Sequence, residues 1–396
     1  MAQVEEIKGL APRILDLLKD VEELELEDVE VKLGDLELMV QPQTLTLPSV
    51  KPEVKLKPEK IIEESFTPPR MEYPGRIVEV KIGATKSEGG TRGRSIVIGG
   101  ERNPPFYIFE APPPNPPSIS IDVFDMRIPL AKPVKEHVED VLEDPAAWAK
   151  RAVDKWGADM INLHLVSVDP LLKDTPPKEA AKTVEEVLQA VDVPLAVGGC
   201  GDPEKDLKVF EKVAEASQGE RILINSVTLD MNVERMADIV NKYGHAVIAF
   251  TPMDMDKARE LNRKLYSHLP KDVIVIDTTT AALGYGLEYA FTIMERVRLA
   301  ALMGDEELQH PISSGTTNAW AAREAWMKMD PRWGAREFRG PIWETVTALT
   351  LLLAGVDYFM MMHPAAVKTV KTVISDLTSN RRGEWRSVAK WVSTRI

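Results

Sequence analysis

Residues 194–250 read PLAVGGCGDPEKDLKVFEKVAEASQGERILINSVTLDMNVERMADIVNKYGHAVIAF, and this stretch decides the fold. Three short runs rich in branched aliphatic residues lie at 194–198, 221–225 and 246–250. They alternate with longer segments whose apolar residues recur at helical spacing. Short strands separated by amphipathic helices are typical of a parallel sheet. The stretch therefore predicts repeated strand–helix units.

The same alternation continues on both sides of this stretch. The other predicted strands are 119–124, 160–165, 273–277, 311–314 and 357–361. Eight strand–helix units within residues 118–377 predict a closed (β/α)8 TIM barrel in the α/β class. An open doubly wound sheet is the alternative, but it usually begins with a glycine-rich turn before its first helix, which this chain lacks. Pro341–Ala354 is predicted as a helix that is either deeply buried or in contact with a partner, because it is apolar nearly all round.

Three segments precede the barrel and one follows it. Residues 1–40 hold 12 Asp and Glu against 4 Lys and Arg, which predicts a separate acidic docking arm. Residues 41–75 are rich in proline and lysine, which predicts an extended linker. Residues 76–117 are predicted to form a β-hairpin and a proline-rich lead-in, with a glycine-rich hairpin turn at 89–92 rather than a phosphate loop. Residues 378–396 are predicted to be a basic C-terminal tail.

Composition excludes several classes of function. The net charge of −13 argues against a nucleic-acid-binding protein, which needs a basic surface. The single cysteine, Cys200, excludes internal disulfides, a self-contained four-cysteine iron–sulfur cluster and a cysteine-rich zinc site, so we expect no metal in this chain. No apolar run approaches the roughly 18–20 residues of a membrane helix, and the start of the chain does not resemble a signal peptide. We therefore expect a cytoplasmic protein without membrane contact.

The candidate functional residues follow the predicted strands, because barrels of this kind carry their sites at the carboxyl ends of the strands. Most are polar and uncharged, and a few are carboxylates. Representative positions are Asp122, His164, Asn225, Asp277 and Asn318. Such a set suits a neutral heteroaromatic or amide-bearing ligand that forms hydrogen bonds at its edge. It contains no His/Cys cluster for zinc and no nucleophile–base signature.

Five short motifs then identify a family resemblance. In chain order they are GATKSEGGTR (83–92), GGCGDPEKD (198–206), GYGLEY (284–289), IMERVRL (293–299) and MHPAAV (362–367). Together they resemble the small (delta) subunit of archaeal-type corrinoid iron–sulfur proteins of the acetyl-CoA decarbonylase/synthase complex. The resemblance covers roughly residues 76–377.

The resemblance implies a set of partners and a shared cofactor. It implies a heterodimer with a large (gamma) subunit that carries a [4Fe–4S] cluster and a cobalamin, within a complex that also contains acetyl-CoA synthase and carbon monoxide dehydrogenase subunits. The pair would move a methyl group between a tetrahydropterin and the acetyl-CoA synthase site. Any role with cobalamin is then a contact across the interface. The residues expected to face the cobalamin are Gly284, Tyr285, Met361, Met362 and His363. For the methionines and His363, ordinary packing at a strand end is the alternative.

A second resemblance lies inside the barrel. Leu223–Ser226 and Val275–Asp277 resemble the fourth and sixth strand ends of pterin-binding methyltransferases, in which an Asn and an Asp hold the pterin edge. The implied pterin-binding residues are Asp202, Asn225, Asp277 and Asn318, with Asn225 contacting the nitrogen that releases the methyl group. The sixth strand departs from the pattern, since Thr278 stands where proline is common. Two functions therefore remain, a docking subunit and a catalytic methyl-tetrahydropterin:corrinoid methyltransferase, and helix or loop capping by these Asp and Asn residues is the structural alternative.

Overall fold

The computed structural model describes residues 71–105 and 113–378. In chain order the strands are β1 (Glu79–Ile82), β2 (Ile96–Gly99), β3 (Ser118–Phe124), β4 (Met160–His164), β5 (Leu195–Gly198), β6 (Leu223–Val227), β7 (Ala246–Phe250), β8 (Ile274–Asp277), β9 (Ile312–Gly315) and β10 (Val356–Met361). The α-helices are α1 (Lys132–Lys135), α2 (Pro145–Trp156), α3 (Pro177–Ala190), α4 (Pro203–Ala216), α5 (Val233–Tyr243), α6 (Met255–Leu265), α7 (Leu287–Leu302), α8 (Arg323–Trp326), α9 (Arg336–Ala354) and α10 (Pro364–Thr378).

The eight strands from β3 to β10 form a closed parallel barrel. Each strand pairs with the next along the chain, and β10 returns to pair with β3 through Tyr358–Met361 against Ser118–Ile121. At least one helix follows each of these eight strands and carries the chain back to the start of the next parallel strand. The apolar side of the helices packs against the outside of the barrel. The predicted (β/α)8 TIM barrel is confirmed.

Side-chain caps and turn residues explain where the helices begin and end. Asp144 caps α2 by accepting from the backbone N–H of Ala147, and the helix ends at Gly157, which has φ +66°. Asn232 and Gly244 serve the two ends of α5 in the same way. A polar acceptor at the start satisfies N–H groups that have no partner within the helix, and glycine at the end takes a left-handed conformation without strain. These local signals explain the observed bounds of both helices.

The β-hairpin closes the amino end of the barrel. β1 and β2 pair antiparallel, as predicted, and the N–H of Gly83 donates to the carbonyl of Arg221, just before β6, at 2.8 Å. Val80, Ile82 and Ile98 of the hairpin are fully buried and pack against the apolar residues at the barrel's amino end. The hairpin is therefore a plug, and the carboxyl end is the end left for function.

An ion-pair network ties the amino end of β10 to α7. Arg298 of α7 is 1% exposed and pairs with Glu101 at 3.0 Å and with Asp357 of β10. Its guanidinium also donates to the carbonyl of Gly355. Burial raises the pKa of Asp357 well above its usual range, and the charge of Arg298 opposes that rise. A buried charge without its partner is costly, so this network joins hairpin, helix and barrel.

The connection between β9 and α9 differs from the prediction. The sequence prediction for this helix is Pro341–Ala354. It begins instead at Arg336 and holds Pro341 inside, preceded by short helical segments that include α8. The connection folds back on α9: Arg339 donates to the carbonyl of Met327 at 2.5 Å, and Arg336 donates to that of Trp326 at 2.6 Å.

Parts of the predicted organisation lie outside the described residues. These are the acidic arm at 1–40, most of the linker at 41–75, part of the proline-rich lead-in, and nearly all of the basic tail at 378–396.

Candidate functional site

A cavity of about 720 Å³ lies at the carboxyl ends of the barrel strands. Every strand from β3 to β10 contributes at least one residue to its wall. The side chains that matter for its chemistry are Asp122, His164, Asn225, Asp277, Asn318 and Met360. No lysine or arginine is among the described residues that line it. The cavity is therefore polar and acidic, and it has the size of a small heteroaromatic ligand's site.

Asp277, at the end of β8, is the buried carboxylate on one wall of the cavity. It is 5% exposed. Its Oδ1 accepts from the N–H of Thr279 at 2.8 Å, and its Oδ2 accepts from the hydroxyl of Ser313 at 3.2 Å. Burial raises its pKa to about 6, and the two hydrogen bonds limit that rise. The buried carboxylate has lost its contacts with water. It is therefore suited to accept hydrogen bonds from a ligand.

Asn225, at the carboxyl end of β6, is the candidate for the pterin methyl-transfer contact. Its Nδ2 donates to the sulfur of Met360 at 3.3 Å. Thioether sulfur is a weak acceptor, so a ligand acceptor would replace this contact at little cost. The structure thus brings Asn225 and Asp277 to one cavity, as the sequence predicted.

The other two predicted pterin residues differ in their placement. Asn318 lines the cavity, and its Nδ2 donates to the carbonyl of Thr280 at 2.9 Å. Asp202 is not part of the lining. Its Oδ1 accepts from the N–H groups of Glu204 and Lys205 and caps α4. The capping alternative therefore describes Asp202 in this structure, and its role in pterin binding stays a prediction.

Two groups of residues at the cavity received no specific chemical role from the sequence, although Asp122 and His164 were among its candidate positions. Asp206 is 6% exposed and accepts from the N–H groups of Cys200 at 2.9 Å and Gly201 at 2.8 Å. Burial raises the pKa of Asp206 and raises that of the Cys200 thiol to about 11, so the cysteine is a poor nucleophile at neutral pH. The sequence signal for this contact was the Gly-Gly-Cys-Gly run at 198–201, which is followed by Asp206 in the next helix.

The second group joins neighbouring strands. Asp122 of β3 pairs in register with Asn162 of β4, whose Nδ2 donates to the Asp122 carboxylate at 2.8 Å. The imidazole of His164, two residues along β4, lies 3.2 Å from the same carboxylate oxygen. Polar residues alternating along a strand were the signal that these side chains share the barrel interior.

The residues predicted to face cobalamin divide into accessible and buried positions. Tyr285 is 56% exposed, and Gly284 precedes it with φ +78°. Met361 is fully buried and packs in the cluster between barrel and helices, since alternate residues of a strand face opposite sides. His363 is 5% exposed and stacks on Trp320, with ring centroids 5.8 Å apart. Met362 is half-buried beside this cluster.

Burial and hydrogen bonding hold the loop after β10 in place. Glu344 of α9 is fully buried and accepts from the N–H groups of Met362 at 2.6 Å and His363 at 3.0 Å. The indole N–H of Trp320 donates to it at 3.1 Å. Burial raises the pKa of Glu344 to about 8 and lowers that of His363 to about 4. His363 is thus a neutral packing residue in this structure.

Large apolar side chains are exposed beside the cavity, on the loops that follow β8 and β9 and at the start of α9. We call Tyr285, Trp333, Phe338 and Ile342 the aromatic surface, and their exposures run from 51% to 63%. Trp343 links its parts, because its ring lies 6.1 Å from that of Trp333 and its indole nitrogen lies close to Gly284. Exposed apolar patches are often found at interaction sites of soluble proteins.

Two further searches of the described residues bear on function. Within 71–105 and 113–378, no group of three or more His, Cys, Asp or Glu side chains is arranged to hold a metal ion. None of the helices in those ranges is long and apolar enough to cross a membrane.

Comparisons with known proteins agree with the motif resemblance. The family model for "CO dehydrogenase/acetyl-CoA synthase delta subunit" matches residues 79–330. The chain is 54% identical over 353 residues to the acetyl-CoA decarbonylase/synthase complex subunit delta of Archaeoglobus fulgidus, covering 87% of this chain and 78% of that protein. It is 46% identical over 391 residues to the corresponding subunit of Methanopyrus kandleri, covering 96% of this chain and 97% of that one.

Among solved structures, the dihydropteroate synthase of Thermus thermophilus is 16% identical, with a TM-score of 0.44. The match covers 73% of this chain and 98% of that one.

Proposed function

Because the chain belongs to the family of CO dehydrogenase/acetyl-CoA synthase delta subunits, we propose that it pairs with a corrinoid-carrying large (gamma) subunit through the carboxyl end of its barrel. In this role it presents the barrel mouth to the partner's cobalamin and helps to organise a complex with acetyl-CoA synthase and carbon monoxide dehydrogenase subunits. The pair supports methyl transfer between a tetrahydropterin and the site where acetyl-CoA is made or cleaved.

The observation that carries the docking role is the aromatic surface beside the cavity. Exposed Trp, Tyr and Phe side chains are enriched in interfaces, where they contribute large apolar area. Phe338 and Ile342 lie four residues apart on α9 and share one face of that helix. The amino end of the barrel is closed by the hairpin, so the open end with this apolar rim is the natural face for a partner.

The accessible residues fit an apolar ring presented by a partner. Tyr285 offers an exposed aromatic face, Gly284 leaves space beside it, and Met362 offers a polarisable thioether. Cobalamin supplies the methyl-accepting cobalt and remains cargo of the large subunit. His363 is expected to stabilise the loop through packing and to contact the ring only indirectly, because its ring is enclosed by His137 and Trp320.

The docking proposal is tested by charge substitution on this surface. Phe338→Asp replaces a side chain that is 63% exposed on the aromatic surface, and Met303→Asp replaces one that is 64% exposed at the far end of α7. Burial of a Phe side chain is worth roughly 1.5–3 kcal/mol, which corresponds to about a tenfold to hundredfold change in Kd. We expect Phe338→Asp to weaken pairing with the large subunit by that factor, measured by sedimentation, while Met303→Asp leaves it unchanged. Equal effects of the two variants contradict the proposed face.

A second candidate function rests on the cavity itself. Asn225, Asp277 and Asn318 line one cavity of about 720 Å³. A pterin edge carries ring N–H and amino donors beside carbonyl and ring nitrogen acceptors. Asp277 can accept from two of the donors, and the amides of Asn225 and Asn318 can both donate and accept. The barrel thus has the groups that a methyl-tetrahydropterin site needs, and methyl transfer from the bound pterin to the corrinoid would then occur at this subunit.

Pterin binding is tested by calorimetry with methyl-tetrahydropterin. Asp277→Ala should weaken binding by roughly 1–3 kcal/mol, because it leaves the donors of the bound pterin unmatched. Asp202→Ser keeps a cap on α4 and should leave the affinity unchanged if that carboxylate serves only the helix. Absence of measurable binding to both the isolated chain and the heterodimer would leave docking as the whole function of the subunit.

A further inference from the structure

A carboxylate and an imidazole lie in contact at the floor of the cavity. Asp122 Oδ1 lies 3.2 Å from Nε2 of His164, and Asp122 is fully buried. Asn162 Nδ2 lies 2.8 Å from the same carboxylate oxygen and 2.9 Å from the same imidazole nitrogen. The ring of His164 stacks on Phe124, with centroids 4.9 Å apart and planes 15° apart. One edge and one face of the imidazole are therefore held in place.

This cluster has polar atoms that the fold does not use. Asp122 Oδ2 and Asn162 Oδ1 are buried without a hydrogen-bond partner in the part of the chain that the structure describes. Burying an unmatched polar atom is costly, and a purely structural contact between two strands would not require a carboxylate here. A fully buried carboxyl group in contact with an imidazole is instead an arrangement that orients the ring.

The other nitrogen of the imidazole, Nδ1, lies beside Gly198. His164, Gly198 and Asn225 lie side by side in the register of β4, β5 and β6. A Cβ on Gly198 would lie 3.4 Å from Nδ1 of His164 and 3.8 Å from Nδ2 of Asn225. Both nitrogens therefore border the space above Gly198 at the cavity wall, which the absence of a side chain leaves open to a ligand atom.

We propose that Asp122 and His164 form a carboxylate–imidazole dyad that supplies a proton to the ligand nitrogen placed above Gly198. The inference rests on the proposed pterin site and names its proton source. When the bond between the methyl carbon and the pterin nitrogen breaks, its electron pair stays on the nitrogen, which takes the proton from His164 Nδ1. The methyl group passes to the partner's reduced cobalt, which provides the electron pair of the new bond. His164 is left neutral, with its Nε2–H donating to Asp122, and regains a proton from solvent.

The titratable side chains that line the cavity with His164 are acids or a thiol: Asp122, Cys200, Asp206, Asp230 and Asp277. Asp125 lies next to His164, because its backbone N–H donates to the His164 carbonyl at 3.1 Å. No lysine or arginine is among the described residues of the cavity wall. In this proposal the side-chain amide of Asn225 donates to the same ligand nitrogen and holds the ligand next to the imidazole.

The test measures proton uptake when methyl-tetrahydropterin binds the intact heterodimer. Calorimetry at pH 7.5 in buffers of different ionisation enthalpy gives the number of protons bound with the ligand. Asp277 contributes little at this pH, because its pKa of about 6 leaves it mostly ionised. We expect the parent to take up a substantial fraction of one proton and His164→Gln to take up none while still binding. A parent that binds without proton uptake, or His164→Gln with unchanged uptake, overturns the dyad.

Absence of binding by the parent is a different outcome, since it overturns the pterin site and the dyad together. Asp122→Asn keeps an acceptor for Asn162 but removes the charge, so the pH at which proton uptake is half-maximal should fall. Single-turnover methyl transfer in the heterodimer gives a second readout, in which His164→Gln should be roughly 10²–10⁴-fold slower. Unchanged thermal unfolding of both variants separates these effects from loss of structure, and a variant that unfolds is replaced by His164→Asn, judged by the same proton count.

Discussion

Replacement of Asp277 by Asn should make the protein more stable while it weakens the site. The Asp277 carboxylate is buried, and its pKa is raised from 3.8 to about 6. An Asn of the same shape keeps both contacts, because Oδ1 can accept from the N–H of Thr279 and Nδ2 can donate to the hydroxyl of Ser313. The variant therefore removes the cost of a buried charge without leaving an unmatched partner.

The direction of the pH dependence follows from the raised pKa. The folded protein holds this proton more tightly than the unfolded chain, so the contribution of Asp277 to stability is most favourable below about pH 3.8 and declines as the pH rises through about 6. A difference of about two pKa units is worth about 3 kcal/mol when both states are ionised, near pH 7.5. At pH 5 the difference is roughly half of that, because the folded protein is then mostly protonated at this site. Asp277→Asn should gain up to these amounts.

Urea unfolding at the two pH values measures this gain. Asp206→Asn is the matched control, because both oxygens of Asp206 accept from backbone N–H groups of Cys200 and Gly201. An amide there would place an N–H₂ group against a backbone donor, which offsets the removal of the buried charge, so the control should gain less stability than Asp277→Asn. The reasoning is refuted if Asp277→Asn unfolds at the parental midpoint at both pH values, or if its gain is larger at pH 5 than at pH 7.5.

Other substitutions test the remaining parts of the structure. Arg298→Met leaves Asp357 buried and unpaired and should cost roughly 3–5 kcal/mol, whereas Arg235→Met removes an exposed ion pair and should cost less than about 1 kcal/mol in the same unfolding assay. Asn225→Ala should slow methyl transfer more than it weakens pterin binding, because its contact would strengthen in the transition state; equal losses in stopped-flow rate and calorimetric affinity would contradict that role. Deletion of residues 1–70 should leave the barrel paired with the large subunit but weaken attachment to the larger complex, and loss of the pair on gel filtration would show that these residues belong to the core.

The barrel could be predicted because its signals are local. β7 (Ala246–Phe250) has the same bounds in the structure as in the sequence prediction. Branched aliphatic runs and amphipathic helices with Asn or Asp caps report on neighbouring residues, so they can be recognised without knowledge of the fold. Eight such units, with the five motifs, led to the barrel and to the family, and both are confirmed.

The connection between β9 and α9 could not be predicted in the same way. Pro341 has the character of a first-turn residue, but contacts of Arg336 and Arg339 with the preceding loop extend the helix by a turn ahead of it. Those contacts join residues about ten apart through side chains, and no periodic pattern announces them. The prediction for this helix start was wrong because tertiary contacts outweighed a local preference.

Only part of the site could be predicted, because some of its contacts follow from the fold and others depend on strand register. Asn225 and Asp277 stand at strand ends, and barrel closure brings all strand ends together, so their common cavity follows from the fold. Contact between Asp122 and His164 depends on the register of β3 against β4, which the sequence does not reveal. Met361 faces the helices because alternate residues of β10 face opposite sides, and the sequence does not reveal which set faces the barrel interior.

Hydrogen–deuterium exchange of the heterodimer, compared with the isolated chain, tests the central claim most directly. Pairing through the carboxyl end of the barrel predicts slower exchange in two segments, 278–286 after β8 and 316–343 after β9, with little change in the hairpin at 79–99. Protection confined to the hairpin or to the ends of α7 and α9 near residues 303 and 354, with the two segments unchanged, would contradict the account and place the partner elsewhere on the barrel.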